Sequence, residues 1–194
     1  LGPRKPWLPL EAKSFHTTDP EAFLWYADIT AGPFLSFKGV DQLKDGKGNM
    51  QGKLLSLFPL FNARGPGIDE GSFLRFVGEV GFYPQWLLHD RLHWEEIDDR
   101  AAMLFVSFGG KKITVRLCFN DQDELIRIET RRPRAVKNGF SDDPWIGEYE
   151  GYKEAYGYYL PFRCRVSWDL PAGRFTYYEV DITDLAINEP FSWW

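Results

Sequence analysis

The sequence predicts a mainly β (α+β) fold, a curved antiparallel sheet or half-barrel with one or two short helices. Three observations carry that expectation: apolar and polar residues alternate through most of the second half, turn dipeptides separate the alternating runs, and a single segment has helical spacing.

In chain order, "FLWYADIT" (23–30) and "FLSFKGVDQL" (34–43) read as strands. "KDGKGN" follows, with Asp45-Gly46 as a hairpin signal, and then "MQGKLLSLFPLF" reads as a further strand. From Asp69, "DEGSFLRFVGEVGF" has acids in its first turn, apolar Phe73, Phe76, Val77 and Val80 at spacings of three and four, and Gly81 as a stop. That is a short amphipathic helix, with Asp69 and Glu70 at its capped start. "FYPQWLL" can add one more turn. A three-stranded meander over about 101–132 follows from "AAMLFVSF", the "GGK" turn, "KITVRLCFN", the polar "NDQDE" and "LIRIETR". In its middle strand Ile113, Val115, Leu117 and Phe119 share one face, while Thr114, Arg116 and Cys118 share the other. "FRCRVSWDL" points Phe162, Cys164, Val166 and Trp168 inward, and "PAG" turns it into the strand "RFTYYEVDITDLAIN". Residues 133–161 form the only long stretch without clean alternation; rich in Trp and Tyr, they are expected as an ordered flap inserted in the sheet.

The 194 residues fit one domain, residues 1–194, and need no metal or disulfide to fold. Aromatic residues make up 17%, with eight Trp, nine Tyr and sixteen Phe, so core and pocket walls must be built largely from flat side chains. The formal charge of −5 argues against a nucleic-acid partner, and "RRPR" at Arg131, Arg132 and Arg134 reads as a solvated strand end. No apolar run is long enough for a transmembrane segment. The chain opens on Leu rather than Met, as a fragment lacking an N-terminal segment would; no signal peptide is visible, and a cytoplasmic setting is the default expectation. Cys118 and Cys164 have no metal or redox spacing and are expected as buried free thiols, with one bridge between neighbouring strands as the alternative.

Phosphate-loop, dinucleotide, nucleophile-elbow and zinc-protease motifs are absent, and no cofactor is expected. His89 and His93 could join Glu95 or Glu96 on a metal only if helical, and they fall where a helix has ended. "HWEEIDDR" carries four carboxylates. If it is extended, Trp94, Glu96 and Asp98 point one way and Glu95, Ile97 and Asp99 the other, so the acids form no single cluster. Asp98 and Asp99 then fit a turn that accepts backbone N–H bonds, with Arg100 as counter-charge. Arg64, in "RGPGIDEG", can stiffen a turn or grip an anionic ligand group.

The elements "RGPGIDEG", "WEEIDD" and "WDLPAGRFTY" follow the pattern RGP-x-ID-x-G, W-x-x-IDD and W-x-LP-x-G-x-F-x-Y. The chain thereby resembles, over roughly residues 20–188, a bacterial and archaeal family with no assigned function. Its β-rich plan is similar to the half-barrel of lipoprotein-localisation carriers, which hold acyl chains in an aromatic-lined concavity; that likeness is architectural and carries no function by itself.

The reading these observations favour is a non-catalytic domain that binds a small apolar or amphipathic molecule, such as a lipid, on an aromatic-lined concave sheet. Candidate ligand-binding residues are Trp25, Phe37, Arg64, Trp86 and Trp94, with Phe105, Trp145, Tyr156, Trp168 and Tyr178 from the second half. One alternative is an enzyme using Asp98, Asp99, Arg64 and Tyr152, which requires at least two of them to converge. The other is a protein-interaction module using the terminal "EPFSWW" with Trp193 and Trp194.

Overall fold

A computed structural model describes residues 6–189, so all of the "EPFSWW" segment after Glu189, Trp193 and Trp194 included, lies outside the described residues. Of the described residues 62% are strand and 11% helical, and the large antiparallel sheets are not closed into a barrel. The described residues group into two compact units, 6–77 with 133–141, and 78–132 with 142–189.

The first unit carries a five-stranded meander, β1 (Leu10–Thr18), β2 (Glu21–Gly32), β3 (Leu35–Lys44), β4 (Lys47–Leu54) and β5 (Phe58–Ala63), in spatial order β1-β2-β3-β4-β5. Asp45-Gly46 turns β3 into β4 with both φ positive, 51° and 68°, the conformation a two-residue hairpin requires. The single strand expected over "MQGKLLSLFPLF" is instead a second hairpin. Leu55 and Ser56 take φ of 51° and 62°, and Pro59, which has no N–H for a ladder bond, falls on the edge strand β5.

Helix α1 (Pro66–Val77) starts three residues before the expected Asp69 and stops at Val77, before Gly81. Pro66 at its first position costs no hydrogen bond, and the Gly65 carbonyl accepts from Ile68 N and Asp69 N, both at 2.9 Å. Asp69 therefore does not cap the helix. Its carboxylate crosses to the β3–β4 turn, accepting from Gly48 N at 2.8 Å and Lys47 Nζ at 3.0 Å. Gly48 permits this approach, because a Cβ there would stand 2.6 Å from the Ile68 carbonyl oxygen. One helix face buries Phe73, Leu74, Phe76 and Val77. Between α1 and β3, Arg75 pairs with Asp41 at 2.8 Å while its guanidinium lies 4.8 Å from the Phe23 ring and 5.0 Å from Trp25.

In the second unit, two 3-10 turns (Val80–Phe82 and Pro84–Leu88) precede β6 (His93–Asp98), β7 (Ala101–Phe108), β8 (Lys111–Phe119), β9 (Leu125–Val136) and β10 (Gly139–Glu150), residues 133–136 and 139–141 of the last two being grouped with the first unit. A small hairpin, β11 (Lys153–Ala155) and β12 (Tyr158–Leu160), leads to β13 (Arg163–Leu170) and β14 (Gly173–Asp181). The large sheet has the order β14-β13-β10-β9-β8-β7-β6. The meander over 101–132 is present as expected, whereas residues 133–161 are mostly strand rather than a flap. The reason is turn chemistry: Asn138-Gly139 closes β9 onto β10, with Gly139 at φ 111°, and Tyr156-Gly157 closes β11 onto β12, with φ of 53° and 77°. "RFTYYEVDITDLAIN" is strand only to Asp181.

Register separates the two faces of this sheet. Leu104, Val115, Leu117, Ile128, Trp145 and Trp168 share the buried one. Its neighbour is the segment after α1, since the Gly78 carbonyl accepts the Tyr149 hydroxyl and Phe82 meets the Tyr149 ring edge-on at 5.9 Å. Gly81 is needed there because a Cβ would stand 2.8 Å from that ring. The other face alternates charges across strands, with Arg116–Glu129, Arg127–Glu148 and Arg165–Glu179 at 3.6, 3.4 and 3.0 Å. These pairs are solvent-screened and each is worth at most about 1 kcal/mol. Both cysteines are free.

Candidate functional site

Trp145 on β10 and Trp168 on β13 are direct cross-strand partners, and Phe175 on β14 lies opposite Trp168. A β-bulge in β14 then inserts one residue, since Val166 pairs with Tyr178 while Ser167 pairs with Thr176. The extra residue is Tyr177. The bulge brings it to the same side, where its ring stacks on Trp168 at 5.9 Å and its hydroxyl accepts from Trp145 Nε1 at 2.9 Å. Arg132 of β9 completes the group. Strand parity points it to the apolar face with Ile128, and its guanidinium stands 5.3 Å from the Trp145 ring and 3.3 Å from the Tyr177 hydroxyl. Arg131 faces the other way and pairs with Asp142 at 2.7 Å, so "RRPR" is not uniformly a solvated end.

The tryptophans are buried, while Arg132, Phe175, Tyr177 and Tyr178 are half-buried, so the arrangement is an aromatic wall with a cation at its rim. A guanidinium can hold a carboxylate or phosphate with two parallel hydrogen bonds, and the rings offer apolar area beside it. Alternation through Trp168 made part of this wall legible. Tyr177 was hidden because a bulge shifts the period, and Arg132 because it lies in a basic run.

The remaining expected binding residues do not join this wall. Trp25, Phe37 and Arg64 belong to the first unit, where Trp25 packs beside Arg75 and Arg64 is exposed ahead of α1. Trp86 is core, with Arg91 6.0 Å from its ring. Phe105 lies on the charged face beside His93 and Lys112, at 5.7 and 4.1 Å. Tyr156 sits exposed in the β11–β12 turn.

Trp94 lines a second feature, a shallow open depression of about 380 Å³ with Glu95, Glu96, Asp98, Asp99, Ala101, Ala102 and Phe119. The four acids expected on opposite faces thus border one hollow. A bulge between Glu96 and Asp98 breaks the alternation, and β6 is an edge strand whose two faces meet at the rim. Asp98 does accept from Arg100 N, at 2.8 Å, as the turn reading expects. The Arg100 side chain instead pairs with Asp121 and Asp123 at 3.5 and 2.6 Å. Of the other residues in the catalytic alternative, Tyr152 donates its hydroxyl to the Leu125 carbonyl at 2.7 Å, and burial, with Glu124 nearby, pushes its pKa well up, which suits a structural hydrogen bond rather than a proton acceptor. His93 lies 3.6 Å from Glu95, and among the described residues no group of three His, Cys, Asp or Glu is placed to hold a metal. No helix among them is long and apolar enough to cross a membrane, which says nothing of a β-barrel.

No curated protein matches the chain. Among solved structures it is similar to a LolA superfamily protein, NE2245 from Nitrosomonas europaea, at 14% identity and a TM-score of 0.39, covering 92% of this chain and 86% of that one. A match over residues 1–180, carrying all three sequence elements noted above, shows that the chain belongs to the Family of unknown function (DUF6544).

Proposed function

We propose that the chain is a non-catalytic binding protein for an amphipathic ligand with an acidic head and an apolar tail, the chemistry of a fatty acid or an acidic lipid. The observation that supports this most is Arg132 set at the rim of the Trp145–Tyr177–Trp168 wall. Pockets for such ligands are largely aromatic with a few placed polar groups that fix orientation. The head would pair with the guanidinium, and the tail would lie along Phe175 and Tyr178.

Titration with palmitate should change Trp fluorescence saturably, because Trp145 and Trp168 stand at the wall. Arg132→Gln keeps most of the side-chain bulk but removes the charge-assisted hydrogen bonds, so affinity should fall at least about tenfold. A flat titration across several chain lengths, or equal affinity in the variant, contradicts the reading.

The gathering of Asp98 and Asp99 in one hollow favours the catalytic alternative in part. It is the weaker reading, because the four acids are exposed and Tyr152 is committed to a backbone carbonyl.

A further inference from the structure

Cross-strand register in the first unit places Leu10, Ile29, Phe37, Leu54 and Phe58 in one rank running straight across β1 to β5. The next rank inward is Glu11, Asp28, Lys38 and Lys53, two acids and two bases. Outward of that charged rank, segments 6–10, 29–37 and 54–58 contain no charged residue. Three chain segments project there side by side, with Trp7 59% exposed, Phe34 92%, Leu57 75% and Phe58 60%, alongside Leu35 and Leu55. An apolar end of this kind, built from several segments, is not the scattered surface leucine of an ordinary domain.

We propose that this end of the first sheet docks on a lipid bilayer surface, with the three tips inserted to the depth of the charged rank. At about 3.3 Å per strand residue the tips extend about 10 Å beyond that rank, which matches the 5–10 Å by which interfacial elements enter the headgroup–acyl boundary. Trp7 is the residue type enriched at that boundary. Backbone donors in hydrocarbon must be satisfied internally, and here Thr30 N donates to Pro9 O, Leu55 N to Ser36 O and Leu57 N to Leu54 O, at 3.0, 2.9 and 3.1 Å. Pro6, Pro9 and Pro33 have no N–H to satisfy. Pro59, level with the charged rank, disfavours a second copy adding a strand at β5, because it leaves a gap in the donors that such pairing uses. Because the charged rank is formally neutral, the bilayer need not be anionic.

This goes beyond ligand binding at Arg132 and rests on different residues. The test is flotation of the 194-residue chain with vesicles of phosphatidylcholine, alone and with phosphatidylglycerol, at low and high salt. The chain should float with both vesicles and in high salt. The Phe34→Ser, Leu57→Ser double variant should lose at least tenfold in vesicle affinity while keeping the wild-type unfolding midpoint and response to palmitate, so the two proposals fail separately. A wild-type chain that stays at the bottom of the gradient overturns the proposal, as does a variant that floats equally well. Binding confined to anionic vesicles at low salt overturns it in favour of an electrostatic surface. A lipid-free dimer by light scattering that the double variant dissolves overturns it in favour of a second copy.

Discussion

Asp41→Ala is expected to destabilise the first unit by about 3–5 kcal/mol, read as a lowered denaturant midpoint with an unchanged slope. Asp41 and Arg75 pair at 2.8 Å with side-chain exposures of 4% and 15%, so truncating the acid leaves a guanidinium held among Phe23 and Trp25 without its carboxylate. The loss is larger than the worth of the pair, because it includes the cost of a largely buried guanidinium that has lost this carboxylate. Replacing both partners, Asp41→Leu with Arg75→Met, should recover most of the stability. A single variant as stable as the wild type would show that water reaches the guanidinium freely.

In the second unit the largest effect is expected at Tyr149. Removing its ring by Tyr149→Ala should cost about 3–5 kcal/mol, since the side chain is fully buried against Gly81 and Phe82. Tyr149→Phe isolates the hydroxyl and should cost about 1–3 kcal/mol at neutral pH by leaving the Gly78 carbonyl unpaired. Burial pushes the Tyr149 phenol well above its ordinary value of 10.0. The folded chain therefore keeps that proton where the unfolded chain loses it, and the associated stability is whole below pH 10 and is lost as pH rises beyond it. The gap between wild type and Tyr149→Phe should accordingly narrow above pH 10 in alkaline unfolding; a gap independent of pH contradicts the burial of the hydroxyl.

The strands from 101 to 132 were legible because alternation and two-residue turns agree there, as was the Asp45-Gly46 hairpin. Failures cluster where one local device outweighs periodicity. Bulges at Ile97 and Tyr177 each shift the period by one residue, which gathers the acids of β6 around one hollow and adds a second tyrosine to the aromatic wall. Asn138-Gly139 alone signals the β9–β10 hairpin, because the aromatic-rich residues after it lack the clean alternation that would mark the flanking strands. Asp69 shows a different limit: its type and position suit a cap, and only the close approach of Gly48 reveals that it secures the β3–β4 turn instead. Arg132 could have been assigned by counting from Ile128, because parity alone separates it from Arg131.

Ligand binding at the aromatic wall is tested most directly by native mass spectrometry of the purified chain beside an organic extract of the same sample. The expected result is a stoichiometric fatty acid or acidic lipid on the wild type, or one palmitate taken up per chain, with occupancy sharply lower in Arg132→Gln. A chain that is empty as purified and takes up no palmitate contradicts it.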